Sequence, residues 1–130
     1  MKKWFWVGVA LALYGGVPAW AAEVDAPDAY ELYEKKQFKA AYRLWYPQAL
    51  KGDSVAQYAV GVMLMYGQDI KPDRVAALKW LHKAAAQGEE QAMQQLMWLY
   101  SDGKYVAEDK AQARRWAEKL EAQGDDLCVK

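Results

Sequence analysis

Threonine and asparagine are absent from this 130-residue chain, and histidine and cysteine each occur once, as His82 and Cys128. A single cysteine excludes an intramolecular disulfide framework. One histidine and one cysteine also fall short of the ligand sets that hold structural or catalytic zinc. Serine is scarce too, present only as Ser54 and Ser101. A Ser–His or Cys–His pair would have to use His82, which points off the Trp80/Ala84 face of its helix pattern and reads as a solvated helix histidine. Ser101-Asp-Gly-Lys104 spells the S-x-x-K of penicillin-recognising serine enzymes. It falls across an expected helix end at Gly103, with neither SDN nor KTG elsewhere, and a motif without its structural context carries little. The adjacent carboxylates Glu89/Glu90, Glu108/Asp109 and Asp125/Asp126 fall at helix starts or in the tail, where capping and solvation account for them. No residue reads as catalytic, no metal site is expected, and no cofactor is implied.

Charge of one sign does not dominate either: 17 basic residues stand against 17 acidic. Nucleic acid, which demands a basic footprint, is therefore not an expected partner. Long apolar runs occur only at the start, where Lys2 and Lys3 precede the uncharged stretch Trp4 to Ala22, ending Ala19-Trp20-Ala21. A basic head, a short apolar run and small residues at alternate positions make residues 1–21 a secretory signal peptide cleaved after about Ala21. The rival is an uncleaved anchor, since the stretch approaches the ~20 residues that a span needs; Gly15, Gly16 and Pro18 disfavour it, and a membrane is a partner only in that case. Loss of Lys2 and Lys3 would leave 15 basic residues against 17 acidic.

What the chain does contain is a repeat. Ala56, Val60, Met63, Gly67, Ile70, Asp73, Ala77, Trp80, Lys83 and Gly88 recur as Ala92, Leu96, Leu99, Gly103, Val106, Asp109, Ala113, Trp116, Lys119 and Gly124, each pair 36 residues apart. A fixed offset kept by Gly, Ala, Trp and apolar positions is the mark of stacked supersecondary units. The pattern Ala56-Gln-Tyr-x-Val-Gly61, Gly67, Ile70, Asp73, Ala77, Trp80, Lys83-Ala-Ala and Gly88 resembles a Sel-1-like repeat, a relative of the tetratricopeptide repeat with a longer period. The resemblance implies an all-α, α/α superhelical repeat fold of antiparallel helix pairs. Full units are expected at 53–88 and 89–124. A degenerate unit at 28–52 keeps Ala40, Ala41 and Leu44 in register with Ala76, Ala77 and Trp80. Residues 22–27 form a linker and 125–130 a tail too short for a capping helix.

Within the central unit, Ser54 and Gln57 are expected to cap the first helix reciprocally, Gly67 to close it in the left-handed conformation, and Asp73 to cap the second. Gly61 should admit a closely packed neighbour, while Trp80 fills the space left by Ala76, Ala77, Ala84 and Ala85. Met97 replaces Gly61 in the last unit and should prevent an equally close approach unless its local partner differs. In the first unit, Ala40, Ala41, Leu44, Trp45 and Ala49 form the expected buried stripe, and Pro47 should bend the helix.

By analogy with the family, the first helices line a binding face. Tyr58, Val62, Met65, Met93, Met97 and Trp98 exceed the core stripes of those helices and are the candidate partner-binding residues, with Tyr58, Met93 and Trp98 foremost; packing against the adjacent unit is the alternative for each. The functional expectation is an exported, periplasmic adaptor that binds a protein or peptide. The alternatives are an envelope hydrolase of the β-lactamase-like kind and a self-associating structural protein, the latter joined as a homodimer through an uncapped C-terminal face or through Cys128.

Overall fold

The computed structural model describes residues 28–129, and every regular element among them is an α-helix. Six follow in order: α1 (Ala29–Glu34), α2 (Phe38–Leu50), α3 (Ser54–Tyr66), α4 (Arg74–Ala86), α5 (Glu90–Asp102) and α6 (Lys110–Val129). Extensive packing joins each helix to its neighbours in the chain. The result is an all-α repeat of three antiparallel pairs, α1/α2, α3/α4 and α5/α6, in the quasi-one-dimensional manner of a solenoid. The signal segment and the linker expected from the sequence lie outside the described residues.

Aspartate starts four of the six helices. Asp28 accepts from the Glu31 amide at 2.7 Å, Asp53 from Ala56 at 2.9 Å, Asp73 from Ala76 at 3.0 Å and Asp109 from Gln112 at 3.1 Å. Each carboxylate satisfies an orphan donor and faces the positive end of the helix dipole. The expected Ser54/Gln57 box does not form, because Asp53 already occupies the cap position with extended backbone. Ser54 instead donates its hydroxyl to Glu89 at 3.1 Å. Gln57 is buried; its amide donates to the Ala49 carbonyl at 3.2 Å and accepts from Gln87 at 2.8 Å.

Gly67 and Gly103 close α3 and α5 with φ of 68° and 71°, where side chains are rarely tolerated. The degenerate first pair makes the same reversal with Lys36 at φ 59°. The units are also stitched by one repeated bond: Gln87 Nε2 donates to the Gly52 carbonyl at 2.9 Å, and Gln123 Nε2 to the Gly88 carbonyl at 3.3 Å. The register would place a further helix end at Gly124, but α6 runs on to Val129. Residues 125–129 are therefore helix, not the separate tail read from the sequence.

Two apolar clusters form the interior. One joins α1, α2 and the inner side of α3 around Trp45, Val60 and Met63; the other joins α3 to α6 around Met65, Leu81, Leu96, Leu99 and Trp116. Close packing of α3 on α4 depends on Gly61, where an added Cβ would lie 2.8 Å from Leu81 Cγ and 3.2 Å from the Ala77 carbonyl oxygen. Two assignments within the helices need correction. Leu81, fully buried, fills the alanine-lined space, whereas Trp80 is half-buried beside Tyr46 with the Lys83 ammonium 4.9 Å from its ring centroid. In α2 the buried stripe is Ala41, Trp45 and Ala49, spaced four apart, and Leu44 lies off it, 41% exposed. The helix continues through Pro47 to Leu50.

Candidate interaction groove

The first helices of the three pairs enclose a small cleft. Tyr30 and Tyr33 of α1, Tyr58, Ala59 and Val62 of α3, and Gln91 of α5 line it, over Trp45 of α2; its volume is about 130 Å³. Trp45 is almost completely buried and is met by two tyrosine rings, edge-on by Tyr30 at 5.2 Å between centroids and tilted by Tyr33 at 5.7 Å. Edge-on pairs of this kind are favoured by the ring quadrupoles and fix the floor of the cleft. Tyr33 is held further by its hydroxyl, which exchanges hydrogen bonds with Gln68 at about 3 Å.

Helical spacing extends the surface along α3. Tyr58, Val62 and Tyr66 recur every four residues, so the stripe covers about 12 Å of the helix axis. At its far end the Tyr66 hydroxyl is hydrogen-bonded by Gln95, and its ring meets Tyr105 edge-on at 5.0 Å. Trp98 lies 6.1 Å from Tyr105, and the Arg74 guanidinium and Lys104 ammonium each lie 5.3 Å from the Tyr105 ring centroid. The cations thus gather at the loop end of the stripe. The other end carries acid: Asp28 and Asp53 at the starts of α1 and α3, and Glu89 immediately before α5. Burial, and then the carboxylates of Glu89, Asp53 and Asp28, push the Tyr30 hydroxyl above the ordinary tyrosine range. Burial, neighbouring tyrosines and Glu89 do the same to Tyr58.

Of the six candidates from the sequence, Tyr58 and Val62 line the cleft. Trp98 is 44% exposed in the aromatic cluster at the other end. Met97 is half-buried against the second apolar cluster. Met65 and Met93 do not belong to a contact surface: at 1% and 3% exposure they are core residues in that cluster. The central first helix has neighbours on several sides, and Met65 faces the α4/α5 side rather than the stripe. The sequence reading missed Tyr30, Tyr33, Trp45 and Gln91, whose shared cleft depends on how the short α1 sits against α3. The run Tyr30-x-x-Tyr33 on α1 was the available signal.

His82 is not the solvated residue expected from the sequence. It is half-buried, its Nε2 is 2.9 Å from the Tyr100 hydroxyl, and its ring centroid is 5.6 Å from that of Trp116. Desolvation, and then the nearby Lys119 ammonium, hold its pKa below the ordinary 6.5. A histidine depressed in the folded state contributes stability above the unfolded value and loses it as pH falls through the folded one. Urea midpoints should therefore decline as pH drops below 6.5, and His82→Gln should flatten that part of the profile; an unchanged slope would count against this assignment.

Ser101 and Lys104 are exposed on opposite sides of the left-handed Gly103, and Lys104 is turned onto Tyr105. No group of three His, Cys, Asp or Glu residues suited to a metal occurs among the described residues.

Residues 54–89 and 91–125 match the Sel1 repeat. The match takes in more than half of the chain, and the chain belongs to the Sel1 repeat family. It is similar to c5321, a protective antigen present in uropathogenic Escherichia coli strains and displaying an SLR fold, with 34% identity and a TM-score of 0.62 over 67% of this chain. That stretch is 19% of c5321, so the chain spans about a fifth of the length of this relative. Sel1 repeats generally mediate protein–protein interaction and are typically non-catalytic.

Proposed function

We propose that the protein is an exported adaptor that binds a protein or peptide partner along the groove formed by α1, α3 and α5. The observation that carries this reading is the solvent-open aromatic cleft, set on helices whose positions are fixed by two packed cores. Rigid aromatic anchors contribute contact area while losing little conformational entropy on binding, which is how a preorganised surface gains affinity. Export to the periplasm is part of the proposal and rests on the basic, apolar and small-residue pattern of residues 1–21. No helix among the described residues is long and apolar enough to cross a membrane.

The test is affinity capture from envelope extract with the protein and with a Tyr58→Ala/Val62→Ala variant whose helicity and urea midpoint show that it folds. A partner enriched by the first and reduced about tenfold or more by the second is the expected result for loss of central anchors. Equal enrichment by both would place binding elsewhere.

A further inference from the structure

The cleft has a chemistry of its own, beyond being apolar and open. Tyr30, Tyr33 and Tyr58 line it; toward the helix starts, Asp28 and Asp53 precede α1 and α3, and Glu89, two residues before the lining Gln91, is hydrogen-bonded to Ser54 one turn before Tyr58. Two of these carboxylates are engaged with their own helices, since Asp28 and Asp53 accept from Glu31 and Ala56 amides. Glu89 makes no side-chain cap on α5; among the described residues its carboxylate takes one hydrogen bond, from Ser54, which leaves acceptor capacity on its oxygens. Arg74 and Lys104 lie on Tyr105, beyond the Tyr66 end of the stripe and so more than about 12 Å along α3 from Tyr58, where solvent screening weakens their effect on these carboxylates.

We propose that the cleft seats an arginine or lysine side chain of a basic, extended peptide segment, with the cation between Tyr30 and Tyr58 and directed at the Glu89 carboxylate. This deepens the adaptor reading and rests on the groove being the binding surface. The tyrosine faces attract a cation through their quadrupoles, and the carboxylate supplies a charge-assisted hydrogen bond; arginine suits both because its guanidinium is planar and forked. An acidic segment would meet like charge from these carboxylates. A purely apolar side chain would desolvate the Glu89 carboxylate without giving it a new partner, which is costly. At about 130 Å³ the cleft is smaller than the usual small-molecule site and suits one side chain. The carboxylates alone would not define a ligand; the tyrosine walls beneath them do.

The test uses the full chain and three blocked tripeptides, Gly-Arg-Gly, Gly-Glu-Gly and Gly-Leu-Gly, titrated while backbone and tyrosine-ring NMR resonances are followed. Gly-Arg-Gly is expected to shift Tyr30, Tyr58, Val62 and Gln91 saturably. Glu89→Gln, which keeps an acceptor for Ser54, should weaken that binding about tenfold, the order expected for a charge-assisted bond. Tyr58→Ala should abolish it. Equal or stronger shifts of the same residues by Gly-Leu-Gly or Gly-Glu-Gly would overturn the basic specificity and leave the groove reading standing. Shifts by Gly-Arg-Gly spread over surface carboxylates, or none at the cleft, would overturn the inference, while envelope capture with Tyr58→Ala/Val62→Ala judges the groove reading separately.

Discussion

Trp45→Ala should lower the unfolding free energy by about 4 kcal/mol, the middle of the range for emptying a buried aromatic site. Trp45 is 5% exposed, and its ring is met by two tyrosines, so its removal empties a buried site and deprives both tyrosines of a packing partner. For a domain of this size the melting temperature should fall by about 20 °C. Trp98→Ala offers the matched comparison: that ring is 44% exposed, and its removal should cost under about 1 kcal/mol. Urea melts of the two variants check the contrast. Similar midpoints would mean that the first pair is not packed as described.

Gly61→Met should cost about 2 kcal/mol, with most of it recovered by adding Leu81→Ala. Overpacking a core typically costs about 1–3 kcal/mol; a cost at the upper end of that range is offset here by the roughly 1 kcal/mol gained when glycine leaves a helix interior. The obstruction is firm, since the nearest atoms belong to a fully buried Leu81 and to backbone at Ala77. The recovery is foreshadowed within the chain. One unit later, Gly61 becomes Met97 and Leu81 becomes Ala117, so the large and small partners have changed sides at equivalent positions. Non-additive stabilities in the double-mutant cycle would confirm the exchange; additive losses would show that the two sites do not share one space.

That exchange illustrates how legible the fold was. The 36-residue offset gave the pairs, their order and the closing glycines, because a repeat prints the same stereochemical demand twice. Which of two adjacent apolar residues turns inward was less visible. Trp80 and Leu81 both satisfy a helical pattern, and only the narrow space opposite Gly61 decides for leucine. α3 is apolar nearly all round, so periodicity could not separate Met65, which faces a second unit, from Tyr58 and Val62, which face the cleft. The end of α6 was misplaced for a different reason: Gly52 and Gly88 take positive φ just after α2 and α4, whereas Gly124 at the equivalent position stays within the helix. The cleft itself combines a full first helix with the six-residue α1, which lies outside the repeat register and therefore outside what the offset could reveal.

The most direct test of an interaction groove on α1, α3 and α5 is site-specific photocrosslinking in the living cell. A photoreactive phenylalanine analogue would replace Tyr58, lining the cleft, or Val75, 68% exposed on α4 and outside it. The account predicts a discrete higher-mass adduct from position 58 and none from position 75. An adduct from position 75 with none from position 58 would contradict it.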